Sequence, residues 1–180
     1  PVTASYIICA VIAAPALILL GVPDFAAHMF IFYYAVLSEV SPPTALSPFA
    51  AAAITGGDPY KTTLQSWKYT APAFLVPFMF VLDSSGQGLL LMGSFNNLGT
   101  APWLSIAEVS ITAAIGIAAL AGGLQGWLFR QASAIERTML IVSGVLLVYP
   151  RALFDIVGIS LFALVIALHL LKKPLQGSTA

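Results

Sequence analysis

The 180-residue chain is 59% hydrophobic and only 8% charged, with a formal net charge of zero. Soluble domains carry about 25% charged residues, so this surface calls for lipid rather than water as its solvent. The balanced charge gives no footing to a nucleic-acid partner. The single Cys9 sits in an apolar run, which leaves no disulfide framework or thiolate metal site and points to a packed structural thiol.

Pro1-Val2-Thr3-Ala4-Ser5 opens the chain without an initiator Met and without a basic stretch and cleavage site, so it is not a signal peptide. The chain reads as a piece of a longer polypeptide. Six apolar segments follow. The first runs from about Tyr6 to Leu20 and stops at Gly21-Val22-Pro23-Asp24. At 15 residues it is short of the ~20 that a crossing needs, and a re-entrant arm is expected. The second, Phe25 to Thr55, is too long for one simple span and is interrupted by Ser41-Pro42-Pro43. The third follows an amphipathic lead-in, Asp58 to Lys68, and extends to Leu82. From Ser84 to Ala107 the chain carries no charge and is broken by Gly86, Gly88, Gly93, Gly99 and Pro102, which predicts a connection lying in or near the outer interface. Its apolar piece, Leu89 to Met92, is too short to span. The fourth segment covers Trp103 to Phe129, the fifth Thr138 to Tyr149 and the sixth Ala152 to Leu171.

Basic residues test this layout. With the first segment dipping in and returning and the other five crossing, Lys61, Lys68, Arg130, Arg137, Lys172 and Lys173 share one side. Only Arg151 falls opposite. The positive-inside rule makes the shared side, and the C-terminus with it, cytoplasmic. Trp67, Tyr69 and Trp103 lie near segment ends, where interfacial aromatics belong. The expected fold class is therefore all-α integral membrane, multi-pass, with a re-entrant hairpin arm and a discontinuous helix.

The break itself carries the chemistry. Pro42 and Pro43 remove two backbone donors and clash with the preceding turn, and the residue before a proline is pushed out of the α region, which unwinds Ser41. Irregular backbone at membrane depth is tolerated only inside protein or against a polar cavity. Freed carbonyls beside the hydroxyls of Ser38, Ser41, Thr44 and Ser47 offer hard oxygen ligands for a small cation. The half-helix starting near Thr44 turns its amides toward the gap, a place for a carboxylate; discontinuous helices build such midplane sites in transporters. A proline kink that only shapes packing is the competing reading. Glu39 is costly in an apolar setting and belongs against protein or water, where it would tune cation binding, carry a proton or pair with another chain segment. If the first segment is a returning hairpin arm, Thr3 and Ser5 form its tip and face Ser41 to Thr44; an ordinary helix start accounts for them equally. His28, His169 and Arg151 read as interfacial, Glu108 as close enough to the segment end to reach headgroups, and Gly116 with Gly122-Gly123 as a close helix approach. No Walker loop, paired-His helix or nucleophile–base pair is present, so an enzyme is not expected.

Taken in order, Ala14-Pro15-Ala16-Leu17, Leu20-Gly21-Val22-Pro23, the aromatic run Ala26 to Tyr34, Leu37-Ser38-Glu39-Val40-Ser41-Pro42-Pro43-Thr44-Ala45-Leu46 and Phe49 to Pro59 resemble the large membrane subunit of tripartite ATP-independent periplasmic (TRAP) transporters. The Thr-Pro-Pro usual in that family stands here as Ser41-Pro42-Pro43. Glu39, Gly57-Asp58-Pro59 and Val76 to Phe80 look like the fused-permease branch that works with TAXI-type binding proteins. The resemblance covers residues 1 to about 82 and is only positional beyond. It implies an elevator-type importer in a bacterial inner membrane, driven by sodium and served by a soluble periplasmic binding protein that delivers an organic acid. Residues 1–82 would then be the C-terminal part of the transport domain, joined to a missing N-terminal part of the permease. Thr3, Ser5 and Thr44 would contact substrate, while Ser38, Ser41 and Thr44 would hold Na+, partly through carbonyls. Residues 83–180 would be packing or scaffold helices. A proton-driven anion symporter, with Glu39 titrating, and a non-transporting assembly module are the alternatives.

Overall fold

The computed structural model describes residues 2–91, 96 and 98–171. They are all-α: α1 Val2–Leu19, α2 Asp24–Leu37, α3 Leu46–Thr55, α4 Pro59–Thr70, α5 Val76–Leu82, α6 Trp103–Gln125, α7 Ala134–Val148 and α8 Ala152–Leu171. Short 3-10 turns occupy Ser38–Val40, Ala71–Leu75 and Ser84–Leu90. Two compact units meet in the chain between Ser110 and Ile111.

In the first unit, α1 begins earlier than its apolar run. Thr3, Ala4 and Ser5 contain no helix breaker, so the helix takes them in and reaches 18 residues, about 27 Å at 1.5 Å per residue. That is long and apolar enough to cross a membrane, so its length does not by itself require the re-entrant arm. No basic residue lies between α1 and α2, and the charge bias is silent on this helix too. Only Ala14 of α1 is buried within the chain, and Cys9 is exposed; the packed thiol expected from its apolar setting is instead on an exposed face. The helix ends in a Schellman motif. Gly21 takes φ +90°, its N–H bonds Ile18 O at 2.9 Å, and the Val22 N–H bonds Leu17 O at 3.1 Å.

α2 packs against α1 and α5, with Ala26 and Ala27 fully buried. Its aromatic face continues onto the following elements: Phe30 and Tyr34 meet Phe78 edge-on, and the Tyr34 hydroxyl donates to Phe74 O at 2.5 Å. After the break, α3 closes on Gly56–Gly57, and Asp58 caps α4 by accepting from the Lys61 N–H at 2.8 Å, with Pro59 in the first turn. The run from Pro59 to Leu82 is continuous through the 3-10 turn at Ala71–Leu75, then bends by 120° into Ser84–Leu90. The turn is made at Asp83, which is extended and accepts from Ser85 N–H. The expected interfacial connection is thus folded back onto α5 as far as Leu90; Met92, Gly93 and Asn97 lie outside the described residues.

In the second unit, α7 runs antiparallel to its neighbours. Gly144 sits where a Cβ would stand 2.4 Å from Leu120 Cγ and 2.8 Å from Gly116 O, so only a bare backbone fits there. Ser143 donates to Gly158 O at 2.8 Å across α7 and α8. α6 ends at Gln125 rather than Phe129, because Gly126 turns the chain at φ +74° and Trp127–Gln131 closes a small bridge. Arg130 and Arg137 then lie at one end of this unit, with the last residues of α8, and Arg151 lies at the other, over the Tyr149 ring. That alternation is what the positive-inside layout needs in this half of the chain; Lys172 and Lys173 lie outside the described residues.

By length and composition α1, α6 and α8 each suffice to cross, and the bent pair 59–82 with 84–90 does so when taken together. At 15 residues α7 is the short one, as its sequence predicts.

Candidate functional site

The gap between α2 and α3 is built by the prolines. In an unbroken helix the N–H of residue 42 would bond the carbonyl of Ser38, but Pro42 has none. The Ser38 carbonyl is taken instead by the Thr44 hydroxyl and, at 3.4 Å, by the Ala45 N–H, which also bonds Ser41 O at 3.0 Å. Ser41 is extended at φ −124°, ψ 151°, the conformation a residue before proline adopts. The Pro42–Pro43 bond is cis, and Ala45 is left-handed at φ 44°. Ala45 starts α3 with no side-chain cap, so the first amides of that helix are left to whatever fills the gap.

Of the four predicted hydroxyls of the break, Ser38, Ser41 and Thr44 give their protons to carbonyls, while Ser47 is exposed in the first turn of α3. Ser38 Oγ donates to Ala35 O at 2.7 Å, Ser41 Oγ to Leu37 O at 3.0 Å and Thr44 Oγ1 to Ser38 O. With its proton committed, each of these three hydroxyls has only lone pairs left to present. The structure therefore brings Ser38, Ser41 and Thr44 into one hydrogen-bonded turn of oxygen donors, with Ser41 buried and Pro42, Pro43 and Thr44 exposed. The C-terminal end of α2 offers partial negative charge and the N-terminal end of α3 partial positive charge. Glu39 is half-buried in the 3-10 turn and has no hydrogen-bond or ion-pair partner among the described residues. No group of three His, Cys, Asp or Glu side chains is assembled among the described residues, so any cation here would be held by neutral oxygens.

The N-terminal hydroxyls have other neighbours. Thr3 lines a cavity of about 500 Å³ with Tyr6, Phe25, His28, Met29 and Phe32, while Ser5 is half-buried on α1. His28 is tied into this wall: its Nδ1 and the Tyr6 hydroxyl are 2.9 Å apart. Sequence reading gave His28 only an interfacial place, since nothing in its spacing reveals a partner 22 positions away.

A second polar cluster, unforeseen in its extent, lies at one end of the second unit. Ser133 and Glu136 form a capping box, with Glu136 Oε2 accepting from Ser133 N–H at 2.8 Å. Glu136 Oε1 takes Arg130 Nη2 at 3.0 Å, and Arg130 also donates to His169 O. Arg137 donates to Gly123 O at 3.0 Å, satisfying the end of α6. His169, expected at the interface, is 2% exposed with Nδ1 3.5 Å from Glu136. Through Nε and Nη2 Arg130 ties the His169 carbonyl, near the end of α8, to Glu136. The Ser-x-x-Glu spacing was the legible signal for this cluster.

The described residues are all-α, with helices long and apolar enough to cross a membrane and a break at Ser41-Pro42-Pro43. Residues 1–85 match the family described as tripartite ATP-independent periplasmic transporter, DctM component. A DctM-type permease segment is therefore present over just under half of the chain, and the role it carries is transport rather than catalysis. No curated protein and no solved structure matches the chain.

Proposed function

We propose that the chain forms part of the membrane permease of a sodium-coupled importer for an organic acid delivered by a periplasmic binding protein of the TAXI type. The observation that carries this is the broken helix: Ser38, Ser41 and Thr44 gathered in one turn, hydroxyl protons spent on carbonyls, between opposed helix ends. Na+ sits among these oxygens, and the substrate carboxylate takes the uncapped start of α3 together with Thr44. Glu39 tunes the cation without ligating it. The match of residues 1–85 to a periplasm-linked transporter component supports the binding-protein partner, an N-terminal remainder of the permease and an elevator movement in a bacterial inner membrane. Residues 83–180 hold the assembly in the bilayer, with the C-terminus cytoplasmic.

The cation site is tested by thermal unfolding of the purified permease in NaCl against KCl. A ligand bound only by the folded state at ten times its dissociation constant adds about 1.4 kcal/mol. The midpoint should rise in sodium, and Ser41→Ala/Thr44→Ala should remove the rise while leaving the KCl midpoint within a few degrees. A rise unchanged in the double variant places the cation elsewhere.

A further inference from the structure

Helix α4 divides its surface three ways. At about 100° per residue, Pro59, Thr63, Ser66 and Thr70 share one face, Tyr60, Leu64 and Trp67 a second, and Lys61, Gln65, Lys68 and Tyr69 a third. The first face is turned inward: Thr63 is 4% exposed and α4 packs against α3. Its hydroxyls are consumed locally, Thr63 on Pro59 O and Thr70 on Ser66 O. The second face is aromatic and open, with Tyr60 75% and Leu64 59% exposed. Water is a poor solvent for such a stripe, whereas the acyl–headgroup boundary suits it.

The third face is a row of donors at i, i+4 and i+8. Lys61, Thr62, Gln65, Ser66, Tyr69 and Thr70 line a shallow depression of about 580 Å³. The Thr62 hydroxyl is given to Asp58 O, but the Lys61 ammonium, the Gln65 amide and the Tyr69 hydroxyl have no partner among the described residues. Asp58, the acid nearest in the chain, spends Oδ1 on the Lys61 backbone N–H. Lys68 is a second exposed cation one residue from this row. The groove thus offers cationic and neutral donors beside an apolar stripe, the complement of an anionic headgroup with its acyl chains.

We propose that the Lys61–Gln65–Tyr69 face of α4 is a binding site for the phosphate headgroup of an anionic phospholipid, with Tyr60, Leu64 and Trp67 seated in the acyl boundary beside it. The phosphate oxygens accept from Lys61, Gln65 and Tyr69, and the lipid pins the lead-in of the bent helix to the leaflet surface. Each lysine near an anionic surface is worth about 1 kcal/mol, close to a fivefold preference.

The test is quenching of Trp67 by brominated lipids in nanodiscs, using the full chain with Trp103→Phe and Trp127→Phe so that one emitter is left. Brominated phosphatidylglycerol should quench Trp67 at several-fold lower mole fraction than brominated phosphatidylcholine. Lys61→Gln/Lys68→Gln should erase that preference while keeping the phosphatidylcholine quenching, and Lys61→Arg/Lys68→Arg should restore it. Equal quenching by both lipids in the parent overturns the proposal, as does a preference that survives the glutamine variant. Loss of the preference on adding inorganic phosphate would identify a free-anion site and overturn the lipid assignment; absence of quenching by either lipid would place α4 outside the bilayer.

Discussion

Ala45 shows how much the broken helix asks of one residue. It is 1% exposed, left-handed at φ 44°, and its N–H ties Ser41 O and Ser38 O together. An L-residue in that region costs roughly 1–2 kcal/mol, and alanine is the smallest side chain that still bears the cost. Ala45→Gly should therefore fold with an unchanged or slightly higher thermal midpoint. Ala45→Val, β-branched and without space, should lose about 2 kcal/mol or more. Thermal unfolding of the two variants side by side checks the turn, and a well-tolerated valine would contradict it. Nothing in the amino-acid pattern announced this residue, because alanine carries no preference for positive φ. The prolines announced the break but not the atom that closes it. Glu136 is the opposite case: Ser133-x-x-Glu136 spells a capping box in the sequence, yet the partners Arg130 and His169 come from loop and helix end 6 and 33 positions away and only folding joins them.

At the scale of elements, apolar run length and breakers located every helix that carries the membrane reading, and the ends moved for local reasons. α1 gained its first turn because Thr3 and Ser5 are tolerated in a helix. α6 lost its last turn because Gly126 reverses the chain. The Gly21-Val22-Pro23 stop appeared where it was read, since a glycine followed by proline leaves few alternatives. The bend of 120° after Leu82 was less legible, for no proline marks it; Asp83, extended and capping Ser85, is what turns it. Close approach of α6 and α7 was foreseen at Gly116 and found to depend as strongly on Gly144. Gly144→Ala should push α7 away from Leu120 and cost about 1–3 kcal/mol, read as a lower unfolding midpoint. Ala118→Gly, on the exposed side of α6, should cost only the ordinary helix propensity of ~1 kcal/mol. Equal losses at the two sites would show that the approach is not tight.

For the whole molecule, composition decides the solvent, and the described chain falls into two compact units, with the broken helix in the first. The transport reading concentrates in the first unit, where the match to a DctM component also lies. The second unit is assembled from bare glycine contacts and a capped, ion-paired end. The measurement that bears most directly on the central claim is organic-acid uptake into proteoliposomes by the whole permease with its binding protein, under a sodium gradient or a proton gradient. Uptake that requires sodium and is lost in Ser41→Ala/Thr44→Ala is the predicted result. Uptake driven by protons alone, and abolished by Glu39→Gln, would contradict it and move the coupling from the oxygen turn to the carboxylate.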